Sequence, residues 1–327
     1  MTTIRFAVIG NPVVDALAPM DAAFVTAHNL KAGDANMVTP ESMIQISAQA
    51  NVQKFQSGGA GANVAYTLAK LGYSTCFAGP IGTDPAGRHF FKDLLAAGLT
   101  TVTPHDTYRT TELFVLVTPD GTRTMVQPIP PVPHQHDDWV DEAVIRPATW
   151  LVVEGYIARD WPAATVACLN IAREQSMAVA LLLPAPHVCA ATADALGHVL
   201  EHGVTLIVGN THEFKALETH LPIPLRATLA RTARVVTNSS QGAMYVAADG
   251  TTFTELSRNV DVPVDNTGAG DAFAAGFLAA FAEGASPSLA LRRGHLLGGA
   301  VIQTLGPRLP DPKAVWMTAD THVNVGI

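Results

Sequence analysis

The sequence predicts an α/β protein built on one mostly parallel sheet, and three observations carry that prediction. First, short apolar runs rich in β-branched residues recur at 4–10, 75–79, 150–155, 177–183, 204–210 and 233–237. They are continuous rather than alternating, as strands buried on both faces are. Second, longer amphipathic stretches lie among them at 63–72, 87–98, 161–175 and 191–203. A strand–helix rhythm of this kind folds into a parallel sheet with helices on both faces. Third, two segments break the rhythm. Residues 11–55 carry scattered polar residues and no long apolar helix, and "LFVLVTPDGTRTMVQ" (113–127) reads as a hairpin around a Pro-Asp-Gly turn. Strand pieces outside the rhythm suit a small lid sheet lying across one edge of the main domain. The Pro-rich "QPIPPVPHQHDD" (127–138) follows as an irregular connector.

Composition bounds the function. With 327 residues, 48% hydrophobic and 15% charged, the chain can bury a large core and is not disordered. A formal net charge of −8 argues against nucleic acid or an anionic membrane as a general partner. It leaves room for a local anion site made of backbone N–H groups, which needs no lysine. Cys76, Cys168 and Cys189 lack metal or disulfide spacing and read as small buried hydrophobes. "MTTIRFAVIG" has no signal-peptide pattern, and no apolar run reaches the roughly 18 residues of a membrane span. A soluble, cytoplasmic protein is expected.

The stretch "VPVDNTGAGDAFAAGFLAAF" (262–281) carries the chemistry. A strand-like entry meets a glycine-rich turn, and a greasy helix then begins near Gly270. Its first turn presents unpaired N–H groups and the positive end of the helix dipole. The small residues Gly268, Ala269 and Gly270 let an anion approach them. Lys-Ser/Thr of a Walker A loop is missing, and Phe273 occupies the last glycine position of a Rossmann fingerprint. A carboxylate at Asp271 would repel a phosphate unless its task is to take a proton from a hydroxyl attacking that phosphate.

"DNTGAGDAFAAGF" (265–277) resembles the signature of the ribokinase (PfkB) family of carbohydrate and nucleoside kinases. "SGGAGANVAYTLAKLG" (57–72), "VGNTHEF" (208–214) and "VVTNSSQGA" (235–243) resemble further family segments in the expected order. "IGNPVVDALAPMD" (9–21), "LKAGDANMV" (30–38), "EGYI" (154–157), "LLLPAP" (181–186), "RGHLLGGAVI" (293–302) and "GPRLP" (306–310) resemble the adenosine kinase-like branch.

The resemblance implies a ribokinase-like three-layer α/β/α domain over 1–327, with lid segments at approximately 11–55 and 105–130. It implies Asp271 as the catalytic base and Gly268, Ala269 and Gly270 as the phosphate-holding turn. Asn11, Asp15, Gly59 and Asn63 would bind sugar hydroxyls, and Tyr156 would stack on a nucleobase. Asn210 and Glu213 would organise Mg²⁺ and its waters near the ATP phosphates, Glu213 through water. Thr237, Ser239, Gly242 and His295 would line the ATP pocket, with Arg123 of the lid hairpin approaching the phosphates.

Plainer readings stand beside these. Asn210 and Glu213 also form a capping box, Tyr156 suits a core position, and His295 suits an apolar helix. The chain departs from the branch at Ser239, where glycine is usual, at Leu182, where asparagine is expected, and along 127–136. The expected activity is ATP- and Mg²⁺-dependent phosphorylation of a primary hydroxyl, the 5′-OH of adenosine or a similar nucleoside first. A sugar kinase of the same fold and a silent nucleoside- or sugar-binding protein are the alternatives. A small-molecule substrate is the expected partner. Monomer versus homodimer and use of a monovalent cation stay open.

Overall fold

The computed structural model describes residues 3–120, 122–128, 138–257 and 263–321. In the first half of the chain the strands are β1 (Arg5–Ile9), β2 (Val13–Pro19), β3 (Ala35–Val38), β4 (Lys54–Gly58), β5 (Ser74–Ala78), β6 (Thr100–Thr101) and β7 (Thr111–Val117). They continue as β8 (Arg123–Pro128), β9 (Trp150–Glu154), β10 (Ala178–Leu182), β11 (Leu206–Asn210), β12 (Ala233–Thr237), β13 (Ala243–Val246) and β14 (Thr252–Glu255).

Nine of them form one sheet in the order β14-β13-β12-β11-β10-β9-β1-β5-β6. Pairing is parallel from β12 through to β6, and only β13 and β14 run antiparallel at one end. The six apolar runs are the six adjacent strands from β12 to β5. Phe6 to Ile9 and Leu151 to Val153 are at most 1% exposed, because helices cover both faces of these strands. Helix Ala60–Leu71 lies on β1, β5 and β9, with Ala269–Ala282 beside it and Pro287–Val301 packed on Ala269–Ala282. Pro162–Glu174 lies on β9 and packs with Ala193–Glu201. The layering is that of a ribokinase-like α/β/α domain. Ala269–Ala282 is greasy all round because it is an inner helix: every residue from Ala272 to Ala280 is buried.

The other five strands form a second sheet, β3-β8-β7-β2-β4. The 113–127 stretch is indeed a hairpin: β7 and β8 pair antiparallel, and Thr118 N–H donates to Thr122 O at 3.0 Å. This sheet has its own small core of Ala16, Ala18, Val25, Leu30, Ile46, Phe114, Leu116 and Val126. Helices Ala22–Ala27 and Pro40–Gln49 supply Val25 and Ile46 to it. Along β2, Ala16 and Ala18 belong to that core and Val14 to the core of the main sheet, while Val13, Asp15 and Leu17 keep a half-buried second face.

The two sheets are joined where the site sits. Only Gly10, Asn11 and Pro12 separate β1 from β2, and β4 runs directly through Gly58 and Gly59 into helix Ala60–Leu71. Cys76, Cys168 and Cys189 are free and buried, and burial pushes the thiols of Cys76 and Cys189 up to about 12. Among the described residues no helix is long and apolar enough to cross a membrane.

Candidate active site

In a parallel sheet, every strand's carboxyl end opens on the same edge, where ligands bind in open α/β folds. Four predicted residues lie at or just beyond such ends: Asn11 after β1, Tyr156 after β9, Asn210 closing β11 and Thr237 closing β12. Helix Ala269–Ala282 aims its N-terminus at the same region, because the carboxyl of Asp271 is felt by Glu154 at the end of β9 and by Glu213 after β11.

Gly268 is the cap of that helix and has φ +79°, a left-handed conformation that a side chain would resist. A Cβ there would also run into the carbonyl of Pro307. Asp265 shapes the approach: its Oδ1 accepts from Thr267 N–H at 2.9 Å, and its Oδ2 accepts from Gly306 N–H at 3.0 Å. The turn is therefore tied to the 306–308 loop. Geometry at a helix start leaves the N–H groups of Gly270 and Asp271 without intrahelical partners. Gly270 is exposed, and a Cβ on it would meet nothing within 4 Å, so the space in front of these donors is open.

Asp271 stands half-buried in this first turn, and its Oδ2 accepts from Asn63 Nδ2 at 2.8 Å. Loss of water pushes its carboxyl up to about 6, against the pull of the Asn63 hydrogen bond and the Arg308 charge. A base with that pKa is ionised at neutral pH and still basic enough to take a proton. Asn63, 4% exposed, is committed at both ends of its amide, because its Oδ1 accepts from Arg308 Nε at 2.9 Å. Sequence reasoning gave Asn63 to a sugar hydroxyl; in the structure its amide is engaged by Asp271 at one end and Arg308 at the other.

Gly59 caps helix Ala60–Leu71 at φ +88°, and a Cβ on it would lie 2.7 Å from Asn11 O. Asn11 is held through its backbone and its side chain. Its N–H donates to Glu154 Oε2 at 2.6 Å, and its Nδ2 donates to Asp160 Oδ2 at 2.7 Å. Asp160 in turn accepts a fork from Arg159 at 2.5 and 2.8 Å. Tyr156 keeps a half-buried ring, with its hydroxyl accepting from Ala185 N–H at 3.0 Å and the Arg159 guanidinium 5.8 Å from the ring centre. Asp15 lies on the half-buried face of β2, and Gly58 leaves room beside its carboxyl.

The predicted nucleotide residues gather at the other end of the edge. Asn210 and Glu213 form the capping box: Asn210 Oδ1 accepts from His212 and Glu213 N–H, and Glu213 Oε2 accepts from Asn210 N–H at 2.7 Å. Burial pushes Glu213 up to about 7, with the nearby Asp271 charge adding to the shift. Ser239 adopts φ +48°, so serine occupies the left-handed geometry that glycine would take without strain. Gly242 lies against the backbone of Glu255 and Leu256. His295 approaches Glu255 O at 3.2 Å through Nε2 and packs edge-on against Phe273, and burial lowers its pKa. Thr254, Glu255, Leu256, Ser257, Arg292 and His295 line a cavity of about 460 Å³. The backbone of Arg123 opens β8, and its side chain lies outside the described residues, as do residues 129–137 of the Pro-rich connector.

Three groups escaped sequence reasoning. Glu154, 2% exposed, accepts from the N–H groups of Asn11 and Gly61 and is pushed up to about 8, chiefly by burial. The signal was a lone acid ending an apolar strand. Arg308 was quoted within "GPRLP" without a task, and the Arg159–Asp160 pair carried no signal at all.

A buried carboxyl, an open donor turn and a cavity further along the edge have the parts that phosphoryl transfer needs. A family model described as "pfkB family carbohydrate kinase" matches residues 27–314. The chain belongs to the pfkB family of carbohydrate kinases. Within reach of this family lies the adenosine kinase of Saccharomyces cerevisiae, 25% identical over 95% of this chain and 98% of its own. The structure of adenosine kinase from Sinorhizobium meliloti superposes with a TM-score of 0.81 at 25% identity, over 98% of this chain and 100% of that one. A probable sugar kinase from Rhizobium etli gives the same TM-score at 24% identity, over 98% and 99% of the two chains. As a pfkB kinase, the chain is a phosphotransferase with an alcohol acceptor.

Proposed function

We propose that this pfkB kinase transfers the γ-phosphoryl group of ATP to a primary hydroxyl of a nucleoside, with adenosine the first candidate. One observation carries the chemistry: Asp271, held by Asn63 with its carboxyl raised only to about 6, lies in the same helical turn as the open N–H donors of Gly270 and of Asp271 itself. In the reaction the substrate oxygen bonds to the γ-phosphorus as the bond to the ADP oxygen breaks, and the hydroxyl proton passes to Asp271. The N–H groups of the turn neutralise charge on the transferring group without having to reorganise. Gly59 and the Gly10–Pro12 link favour a reading of the second sheet as a lid that closes over the acceptor and excludes water.

Mg²⁺ fits the chain as a phosphate-borne ion. Among the described residues no cluster of three metal-ligating side chains exists, and Glu213 is a carboxyl whose raised pKa a cation would bring down. Glu213 with Asn210 would hold the ion through its waters, and the ion would supply charge neutralisation on the phosphates. The cavity beside His295, with Thr237, Ser239 and Gly242 nearby in the fold, suits the nucleoside end of ATP. Tyr156, Asn11 and Asp15 are proposed as acceptor contacts, and Arg123 as a phosphate contact from the lid.

The experiment is a panel of nucleosides and sugars with ATP and Mg²⁺, read as ADP release. Turnover of nucleosides above sugars is expected. Turnover of sugars alone would replace adenosine by a carbohydrate acceptor, a reading that the charged Arg159–Asp160 pair beside Tyr156 favours. Ligand binding with no ADP release would make the chain a silent binder. Asp271→Asn is expected to fold and bind ligands while turnover falls about 10²–10⁴-fold; wild-type turnover in that variant overturns the mechanism.

A further inference from the structure

The described base–amide pair continues into a longer chain. Arg308 is nine-tenths buried, with a side-chain exposure of 10%, and it bridges two helices, Ala60–Leu71 and Pro85–Ala96. Its Nε donates to Asn63 Oδ1 at 2.9 Å, its Nη1 donates to Asp93 Oδ2 at 2.5 Å, and its guanidinium lies 4.9 Å from the centre of the Tyr66 ring. Asn63 then donates to Asp271 at 2.8 Å. A primary amide is symmetric in shape but not in polarity, so either end could face the base. A guanidinium is a donor only, and it fixes the oxygen end toward itself. The nitrogen end is thereby left facing Asp271. Gly306 and Pro307, just before Arg308, are clamped to Asp265 and Gly268 of the phosphate turn. One loop thus supports the turn and carries the arginine that sets the base.

We propose that Arg308 is a positioning residue for phosphoryl transfer: it fixes the Asn63 amide so that its N–H orients the Asp271 carboxylate toward the acceptor hydroxyl. The inference rests on the kinase reading for its rate consequences and on geometry alone for its structural ones. Asp271 is acted on by Asn63 and Arg308, and its charge is felt by the carboxyls of Glu154 and Glu213. Asp93 and Tyr66 stand behind Arg308. Arg308 is the cation in this set that acts on Asp271, so removing it raises the pKa of the base, and the chain therefore loses both its orientation and its countercharge.

The test uses Arg308→Met and Arg308→Lys in the full chain, with thermal melting to verify folding. In Arg308→Met the acid limb of kcat/KM is expected to move up by about one pH unit from its wild-type position near 6. Arg308→Lys keeps the charge and loses the fork. Its acid limb stays in place, kcat falls about 10-fold, and both KM values hold within about twofold. A folded Arg308→Met with an unmoved limb overturns the proposal. Should that variant not melt cooperatively, Arg308→Lys decides, and an unchanged kcat overturns it.

Carboxyl ¹³C titration of Asp271, assigned with Asp271→Asn, separates this idea from the kinase reading because it needs no substrate. Titration about one unit higher in Arg308→Met upholds the countercharge that the relay requires even if wild type phosphorylates nothing, and the Asn63 side-chain amide ¹⁵N signal, expected to shift in both Arg308 variants, reads its orientation. An unmoved titration beside normal wild-type turnover ends the relay and leaves the kinase.

Discussion

The role of base proposed for Asp271 suits a carboxylate that is uncomfortable as an ion. Burial raises its carboxyl from an ordinary 3.8 to about 6, and Asn63 and Arg308 recover part of that cost. A raised carboxyl binds its proton more tightly folded than unfolded. Below pH 3.8 both states hold the proton and the group contributes nothing; as pH rises to about 6 the unfolded chain gains by ionising first, and stability is lost. Above that the penalty is constant. Asp271→Asn is therefore expected to be more stable than wild type at pH 8, by about 1–3 kcal/mol, while losing its activity. Melting curves at pH 8 and at pH 4 check it, with the gain expected at pH 8 and shrinking toward pH 4. A variant less stable than wild type at pH 8 would mean that the carboxylate is held better than its surroundings imply.

At the scale of elements, the junction between β4 and helix Ala60–Leu71 carries the most consequence. Gly59 is left-handed, and the carbonyl of Asn11 fills the place a side chain would take. Gly59→Ala is expected to cost about 2–4 kcal/mol from backbone strain and overlap together. It should also weaken acceptor binding, because the displaced group belongs to Asn11. Denaturant unfolding and KM for the acceptor test this, and a fully stable Gly59→Ala would show that the turn has freedom the structure denies it.

This junction also marks how far the sequence could be read. The six strands from β12 to β5 were legible because burial on both faces writes a continuous apolar run. The hairpin of β7 and β8 was legible because alternation brackets a turn. By contrast β3 has four residues and β6 two, and helix Pro40–Gln49 buries only Ile46, so none leaves enough periodicity to read. Asp271 was legible because its donors are its own neighbours in the chain. Arg308 was not, since the amide it holds lies 245 residues away, and only folding brings them together.

At the scale of the whole molecule, the edge that gathers the site also gathers acids. Glu154, Glu213 and Asp271 are all pushed up, to about 8, 7 and 6, within a chain of net charge −8. Each costs the folded state once pH passes its unfolded value, because the unfolded chain ionises first, so the ligand-free protein should lose stability as pH rises. His295 acts in the opposite sense, because burial lowers its pKa and its cost appears as pH falls below 6.5. The clean window is pH 6.5 to 8.5. There Glu154 dominates, since its unfolded value of 4.5 is already passed and its folded value of about 8 is reached only near the top of the window.

The expected loss across that window is about 2 kcal/mol, a fall in melting temperature of about 2–5 °C. Glu154→Gln keeps an oxygen to accept from the Asn11 N–H and removes the titration, so its melting temperature should be nearly flat over the same range. Scanning calorimetry of both proteins at constant ionic strength measures the difference. A wild-type curve already flat from pH 6.5 to 8.5 would show that Glu154 ionises as an ordinary carboxylate. The clamp it makes between Asn11 and Gly61 would then be a charged one, and the crevice would meet its substrates with one more negative charge at neutral pH.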